Sequence, residues 1–546
     1  MTRAENEGRG RWGTGIVALV LAAGLGVPAA GQPLPDFGPP PVEAPPAAAD
    51  TPIPGTGYVN PEARAAYDRG KQLADRGDDE AAIEQFSQAL AIDSRFLPAY
   101  LERGKSFRRL QAYDLALESL SQATIYGARY PETFVERGQV YMKLRRYREA
   151  AADFREAVQL RPADYESQLR YARALVRLAA ASGGAGSPDA TADLQTAVAA
   201  LDRAIRMRGD DPAPYFERGL ARLELGQTDD AIADLQGALK LAPDRPRYLV
   251  ETGLAYLRRA HRRGAQSEPD DGQVIADYER AIDALTRYLA APAAGDGGTL
   301  PGAGNGSASD EDDDAPIRRE DVYLGRAVAR IALAGQLSDS GTSAVHYRAA
   351  IEDCEAALRA DATLTTAYFH RGLAQRMLDE YAAAIDSFGR ALALSPEFAE
   401  ALLRRGIAWF YLGDYELALR DFAAARVVSP DSRSAFWAGA AQARAGRHAE
   451  AVQEYSRAIG ADPEYRHAYL NRGLAYLRLG MGVQAARDFN EVLRREPNHA
   501  RAYYWRGLAY RQAGQFEAAR KSFREALRLD PNLGPAQQAQ ASLTGG

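Results

Sequence analysis

Hydrophobic positions along this chain follow helical spacing, and the helices they predict come in pairs. Between Pro131 and Asp164, the stretch Thr133-Phe-Val-Glu-Arg-Gly-Gln-Val-Tyr-Met-Lys-Leu144 is apolar on one side only. A turn at Arg145-Arg146 leads into a second amphipathic stretch, Tyr147-Arg-Glu-Ala-Ala-Ala-Asp-Phe-Arg-Glu-Ala-Val-Gln-Leu160, and Pro162 ends it. Neither helix buries its apolar side alone. The pattern therefore predicts an antiparallel pair that stacks on the next pair.

The pair returns every 34 residues or so, marked by an alanine at 82, 116, 150, 197, 231, 281, 350, 384, 418, 451, 485 and 519. A glycine stands twelve residues upstream in most copies: Gly70 before Ala82, Gly104 before Ala116, Gly138 before Ala150, Gly372 before Ala384. The same spacing joins Gly406 to Ala418, Gly473 to Ala485 and Gly507 to Ala519, whereas one copy has Ala172 in place of the glycine. Glycine inside a helix costs about 1 kcal/mol relative to alanine. So regular a penalty implies close packing, with glycine and the opposing alanine letting the two helix backbones approach. Four residues after the alanine comes a bulkier side chain, such as Phe86, Phe154, Phe388 or Phe523, expected to fill the space between units; Cys354 takes this place once. Proline closes many of the second helices, as at Pro162, Pro396 and Pro531.

These offsets resemble those of the tetratricopeptide repeat, and the copy at Ala502-Tyr-Tyr-Trp-Arg-Gly-Leu-Ala-Tyr510, with Ala519, Phe523, Ala526 and Pro531, carries the likeness best. The resemblance covers nearly everything from Ala63 to Leu533. It implies an all-α fold, an α-solenoid in which helix-turn-helix units build a right-handed superhelix. It also implies that the first helices of successive units line a concave groove taking peptides or helices of partner proteins.

Breaks in the spacing divide the chain. Residues 61–295 and 318–533 read as two arrays of six repeats, joined by a disordered Gly-rich and acidic linker over 296–317 and followed by a cap or tail over 534–546. Asp310-Glu-Asp-Asp-Asp314 in the linker lacks the alternating carboxylates, central glycine and terminal glutamate of a calcium loop, so a solvated run is favoured. Three copies are stretched, Tyr165–Asp211, Pro246–Gly295 and Arg318–Leu364, with the extra residues expected in the turn between the helices. Residues 1–31 place Arg3, Arg9 and Arg11 before a short apolar run and small residues, the pattern of a secretory signal. An uncleaved segment anchoring the chain to the inner membrane is the alternative. Residues 32–60 are rich in proline and alanine and read as a disordered tether, with Asn60-Pro61 opening the first helix. The expected location is thus periplasmic or extracellular.

The formal net charge of −6 argues against nucleic acid as a partner. One cysteine permits no internal disulfide, and six scattered histidines form no metal-ligand spacing. No phosphate loop, nucleophile elbow or dinucleotide fingerprint is present. The expectation is a non-catalytic scaffold with no cofactor and no metal; a membrane-tethered adaptor for envelope assembly or secretion, or an accessory subunit presenting substrates to a separate enzyme, are the alternatives. Counting along each unit gives the expected lining. The N-terminal array offers Arg108, Arg109, Lys143, Arg170, Arg173 and Arg177, a stripe suited to carboxylates of an acidic segment, although cations near helix C-termini also favour the helix dipole. The C-terminal array offers Phe369, His370, Phe410, Tyr411, Phe436, Trp437, Tyr504 and Trp505, anchors for an interface or packing between helices. The recurring arginine before the glycine, Arg137 or Arg472 for example, reads as structural.

Overall fold

The computed structural model describes residues 60–266, 270–291 and 317–543. The expected signal, almost all of the Pro/Ala-rich tether and nearly all of the linker lie outside the described residues. The described residues fall into two compact units, one ending at Ile317 and the other starting at Arg318.

The first unit holds α1 Pro61–Asp75, α2 Asp79–Ile92, α3 Leu97–Arg109, α4 Tyr113–Tyr126, α5 Pro131–Lys143 and α6 Tyr147–Leu160. It continues with α7 Tyr165–Ala181, α8 Pro188–Met207, α9 Pro212–Glu224, α10 Thr228–Leu241, α11 Pro246–Gly264 and α12 Asp271–Ala290. The second unit holds α13 Arg319–Gln336, α14 Ser340–Ala360, α15 Thr365–Met377, α16 Tyr381–Leu394, α17 Ala399–Leu412 and α18 Tyr415–Val428. It ends with α19 Ser432–Arg444, α20 His448–Ala461, α21 Arg466–Arg478, α22 Gly482–Arg495, α23 Ala500–Gln512, α24 Phe516–Leu529 and α25 Gly534–Ala541. Within each unit every helix packs on the one before and the one after it, so both are α-solenoids of helix pairs.

Local chemistry sets the helix ends. The Asn60 side chain accepts from the Glu62 N–H at 2.9 Å and Pro61 occupies the first turn, as the sequence implied. Between the two helices of an unstretched pair, one residue adopts left-handed backbone, and it stands seven positions after the packing glycine: Gly77 after Gly70, Gly413 after Gly406, Gly480 after Gly473. Three pairs place another residue there, Gln111, Arg145 and Asp379, at φ between 57° and 60°.

The recurring alanines are fully buried, Ala82, Ala150 and Ala418 among them. The glycines allow the expected backbone approach in some pairs, a Cβ on Gly219 standing 3.2 Å from the Ala231 carbonyl oxygen, but the nearest neighbour is a side chain. A Cβ on Gly406 would stand 2.6 Å from Cε1 of Phe422, and one on Gly138 would stand 2.7 Å from Cε1 of Phe154. The bulky residue of the second helix therefore lies over the glycine of the first helix in its own pair. Glycine is required because that ring, or a leucine such as Leu120 over Gly104, takes the space a side chain would use.

The arginine preceding the glycine ties the pair together. Arg137 bonds Asp153 through Nε and Nη2, both at 2.8 Å, and Arg472 does the same to Asp488. Where the second helix offers a hydroxyl instead, Arg103 reaches Ser119 at 3.1 Å and Arg371 reaches Ser387 at 2.9 Å. A further nitrogen crosses to the preceding pair, Arg472 Nη1 to Ser456 at 2.9 Å and Arg103 Nη1 to Ser87 at 3.2 Å. These bridges span three helices and give the residue the structural role its recurrence suggested.

The stretched copies differ from expectation. Ordinary pairs have helices of about 13 and 14 residues, but α7 and α8 have 17 and 20, α11 and α12 have 19 and 20, and α13 and α14 have 18 and 21. Most of the insertion lengthens the helices; Arg262-Arg-Gly264 and Asp271-Gly272, placed in the turn by the pattern, are helical. At the far end α25 turns Ala536 and Ala539 onto the last pair, beside Phe523.

Candidate functional site

The first helices supply two sets of side chains at the positions expected to line a groove. In the N-terminal array the cations meet carboxylates of the chain itself. Arg109 at the end of α3 grips Asp79, at the start of α2, with Nε 2.8 Å from Oδ2 and Nη2 2.5 Å from Oδ1, and also donates to Ser106 at 2.9 Å. These bonds hold the Asp79 carboxyl below the usual carboxylate range and raise the Arg109 guanidinium. Arg108 Nη2 reaches Glu136 on α5 at 3.1 Å. Arg173 Nε donates to Glu217 on α9 at 3.0 Å, and Glu217 is buried. Arg170 lies 3.5 Å from Glu166 one turn away on α7, while Lys143 and Arg177 are half-buried. Much of the stripe thus stitches neighbouring pairs together.

The carboxylates that answer it were overlooked in the sequence, although two of them, Glu136 and Glu217, share one place in the repeat. Glu102, Glu136 and Glu217 each precede the Arg-Gly pair of an N-terminal repeat. The same position in the C-terminal array holds His370, Arg404, Trp437, Asn471 and Trp505.

In the C-terminal array the aromatic side chains form a connected row. Tyr381 at the start of α16 stacks on Tyr411 at the end of α17, with ring centroids 5.2 Å apart and planes 9° from parallel. Phe410 meets Trp437 of α19 edge-on at 5.4 Å and Tyr415 at 5.7 Å. Tyr411 lies 6.2 Å from Trp437, and Phe436 continues the row to Tyr465 at 5.0 Å. Tyr411 remains 52% exposed and Phe410 and Trp437 are half-buried, so the row has a face open to a ligand. Tyr504 and Trp505 stand apart from it on α23, half-buried, Tyr504 near Phe523 and Trp505 near Phe489. Phe369 and His370 are core rather than lining, 5% and 4% exposed. Burial pushes the His370 imidazole down to about 4, which leaves it neutral.

Among the described residues no group of three His, Cys, Asp or Glu side chains is placed to hold a metal ion. Burial drives the Cys354 thiol well above its ordinary value, the state of an unreactive core residue. No described helix is long and apolar enough to cross a membrane.

Comparison with known families places the repeats. Tetratricopeptide repeat models match residues 131–164, 190–260, 372–425 and 470–533, and a TPR repeat model matches 439–480. Among solved structures, the MamA protein is 26% identical over 31% of this chain and 92% of that one, with a TM-score of 0.30. YrrB, described as a TPR protein with an unusual peptide-binding site, is 20% identical over 35% of this chain and 99% of its own, with a TM-score of 0.33. Yeast Tom70 is 14% identical over 88% of this chain and 95% of its own, with a TM-score of 0.33. No curated protein matches the chain. The matched segments fall in both arrays, on the helix pairs described above, and the chain is a tetratricopeptide repeat protein.

Proposed function

We propose that this protein is a non-catalytic scaffold that takes segments of other proteins on the first helices of its C-terminal array. The observation that carries the reading is the row of Tyr381, Tyr411, Phe410 and Trp437. It joins three successive helix pairs, and Tyr411 keeps half its surface in solvent. Large, stiff aromatic side chains lose little rotamer entropy on binding and are the usual anchors of interfaces. In the N-terminal array the ion pairs of Arg108, Arg109 and Arg173 already satisfy the corresponding cations.

Panning a displayed library of random dodecapeptides on the purified chain tests this. Bound peptides are expected, and Tyr411→Ala with Trp437→Ala should weaken them about tenfold or more each, the usual loss at an aromatic anchor. Recovery of no peptide, or peptides indifferent to both changes, would remove the reading.

The scaffold is further proposed to act outside the cytoplasm, on the strength of the basic and apolar pattern of residues 1–31. Sequencing the N-terminus of the protein isolated from its native cells decides this. A start near Ala30 or Gln32 supports secretion and excludes the tethered adaptor, whereas an intact start at Met1 in a soluble fraction excludes both.

A further inference from the structure

Short connections turn the chain back on itself after each helix of the N-terminal unit, so they alternate between two edges of the stack. Asn60 opens α1 on the edge where α2 and α4 end and α3 begins. On this edge the second helices commonly finish on an exposed apolar residue, such as Ile92, Leu160 or Leu241. Helix α4 departs from that pattern twice. Tyr126 takes the place of the leucine and stacks on Tyr100 of α3, with ring centroids 5.7 Å apart and planes 21° from parallel. Ile125, one residue earlier, is 67% exposed. Other pairs hold Gln159, Arg206, Lys240 or Arg528 at that place, and only α18, with Val427, has another large apolar residue there. A single exposed isoleucine means little; beside a stacked tyrosine pair it makes an apolar spot that the stack itself does not cover.

The connections on this edge add two exposed cations, Arg95 between α2 and α3 and Arg129 between α4 and α5. Residues 32–59 lead into the same edge. They carry nine prolines, the acids Asp36, Glu43 and Asp50, and no Lys or Arg. Proline-rich chain favours the polyproline II helix, which costs little entropy to hold and docks on aromatic surfaces. At about 3.1 Å per residue, Pro52-Ile53-Pro54 reaches back about 19 to 25 Å from Asn60. Helix α1 touches α3, and α4 lies one helix further, at an interaxial distance of about 10 Å. The tyrosine pair and Ile125 are therefore within reach, and Asp50 arrives with the prolines.

We infer that the chain's own proline-rich segment docks on this edge, with Pro52-Ile53-Pro54 against Tyr100, Tyr126 and Ile125 and with Asp50 facing Arg95 and Arg129. An acidic, proline-rich strip meets a basic, aromatic edge, so charge and shape agree. The short connection to Asn60 holds the segment at an effective concentration in the millimolar range, which a proline-rich segment of another protein has to outcompete. Docked at the helix ends, the segment stays off the faces of the first helices. The contact does not depend on what the C-terminal array binds.

Photo-crosslinking in the full chain tests this, with p-benzoylphenylalanine in place of Thr51 so that Pro52-Ile53-Pro54 is left intact. Coupling within one chain is expected, to residues between 92 and 130, located by mass spectrometry of the digested protein. Ile125→Asp should cut that yield about fivefold or more, the usual loss at an apolar anchor. Arg129→Glu should also lower it, and the wild-type yield should fall as salt rises from about 0.05 to about 0.5 M. Both substitutions fall at exposed positions, so the unfolding midpoint should stay where it is. Coupling scattered over the first unit, or a yield indifferent to Ile125→Asp and Arg129→Glu, would overturn the inference. Coupling between two chains that grows with protein concentration would overturn it as well, and would give the edge to the segment of a second copy.

Discussion

A single side chain decides whether a helix pair closes, and the glycine under the ring is the clearest case. Gly406→Ala puts a methyl 2.6 Å from Phe422 and 3.2 Å from the Asp421 Cβ, so ring or helix must shift. The expected loss is about 1–3 kcal/mol by overpacking, beyond any gain in helix propensity. Chemical denaturation of Gly406→Ala measures it, and adding Phe422→Leu should restore part of the loss. The left-handed turn residue offers the opposite change. Arg145, at φ 57°, sits where other pairs use glycine, and Arg145→Gly should stabilise the protein by about 1 kcal/mol, since an L-residue carries a steric cost in that conformation. A fall in the unfolding midpoint would show that the Arg145 side chain makes up that cost elsewhere. The packing glycines were legible in the sequence because all but one copy of the repeat shares them. The turn position was not, because Gln111, Arg145 and Asp379 break its run of glycines. The reason for the packing glycine was also hidden: spacing marks a close approach without saying whether backbone or ring comes close.

Charged contacts work at the level of the helix and its neighbours. The ion pair of Asp79 and Arg109 joins the start of α2 to the end of α3, and Arg109 holds the Asp79 carboxyl below its ordinary value. A depressed folded-state pKa contributes stability that is fully present above the unfolded carboxylate value of about 3.9 and is lost as pH falls through the folded value. Asp79→Asn should therefore lower the unfolding midpoint at pH 7, and the gap from wild type should narrow as the pH drops below about 4. A gap constant with pH would assign the effect to packing instead. Periodicity located the helices, yet it placed insertions of the stretched pairs in turns where the helices run on, because arginines such as Arg262 and Arg263 extend a helix as readily as they enter a loop. The basic stripe was legible as a row of cations. Its partners were not, since Glu136 and Glu217 pair across 28 and 44 residues and no local pattern reports such a contact.

Each compact unit is a stack in which a helix pair leans on its neighbours alone, so stability is shared locally. The end of the stack then has a particular requirement. Among the described residues the pair of α23 and α24 is followed by α25, which covers it with Ala536 and Ala539 inward and Gln537, Gln538 and Gln540 among its polar residues. Arg520 donates to the Leu543 carbonyl at 2.6 Å and Arg511 to the Ser542 hydroxyl at 3.4 Å, which fasten the last turn of chain to α24 and α23. Ending the chain at Leu533 removes this cover and exposes the face that carries Ala519 and Phe523. In a stack with nearest-neighbour coupling, the loss should stay close to the break. Amide exchange of the truncated protein should quicken strongly in α23 and α24, less in α21 and α22, and remain unchanged in α13 to α16. Uniform quickening from α13 to α24 would instead mean that this array unfolds as one block. That outcome would also bear on the aromatic row of α16, α17 and α19, because a segment bound there, as proposed, would then stabilise pairs it never touches.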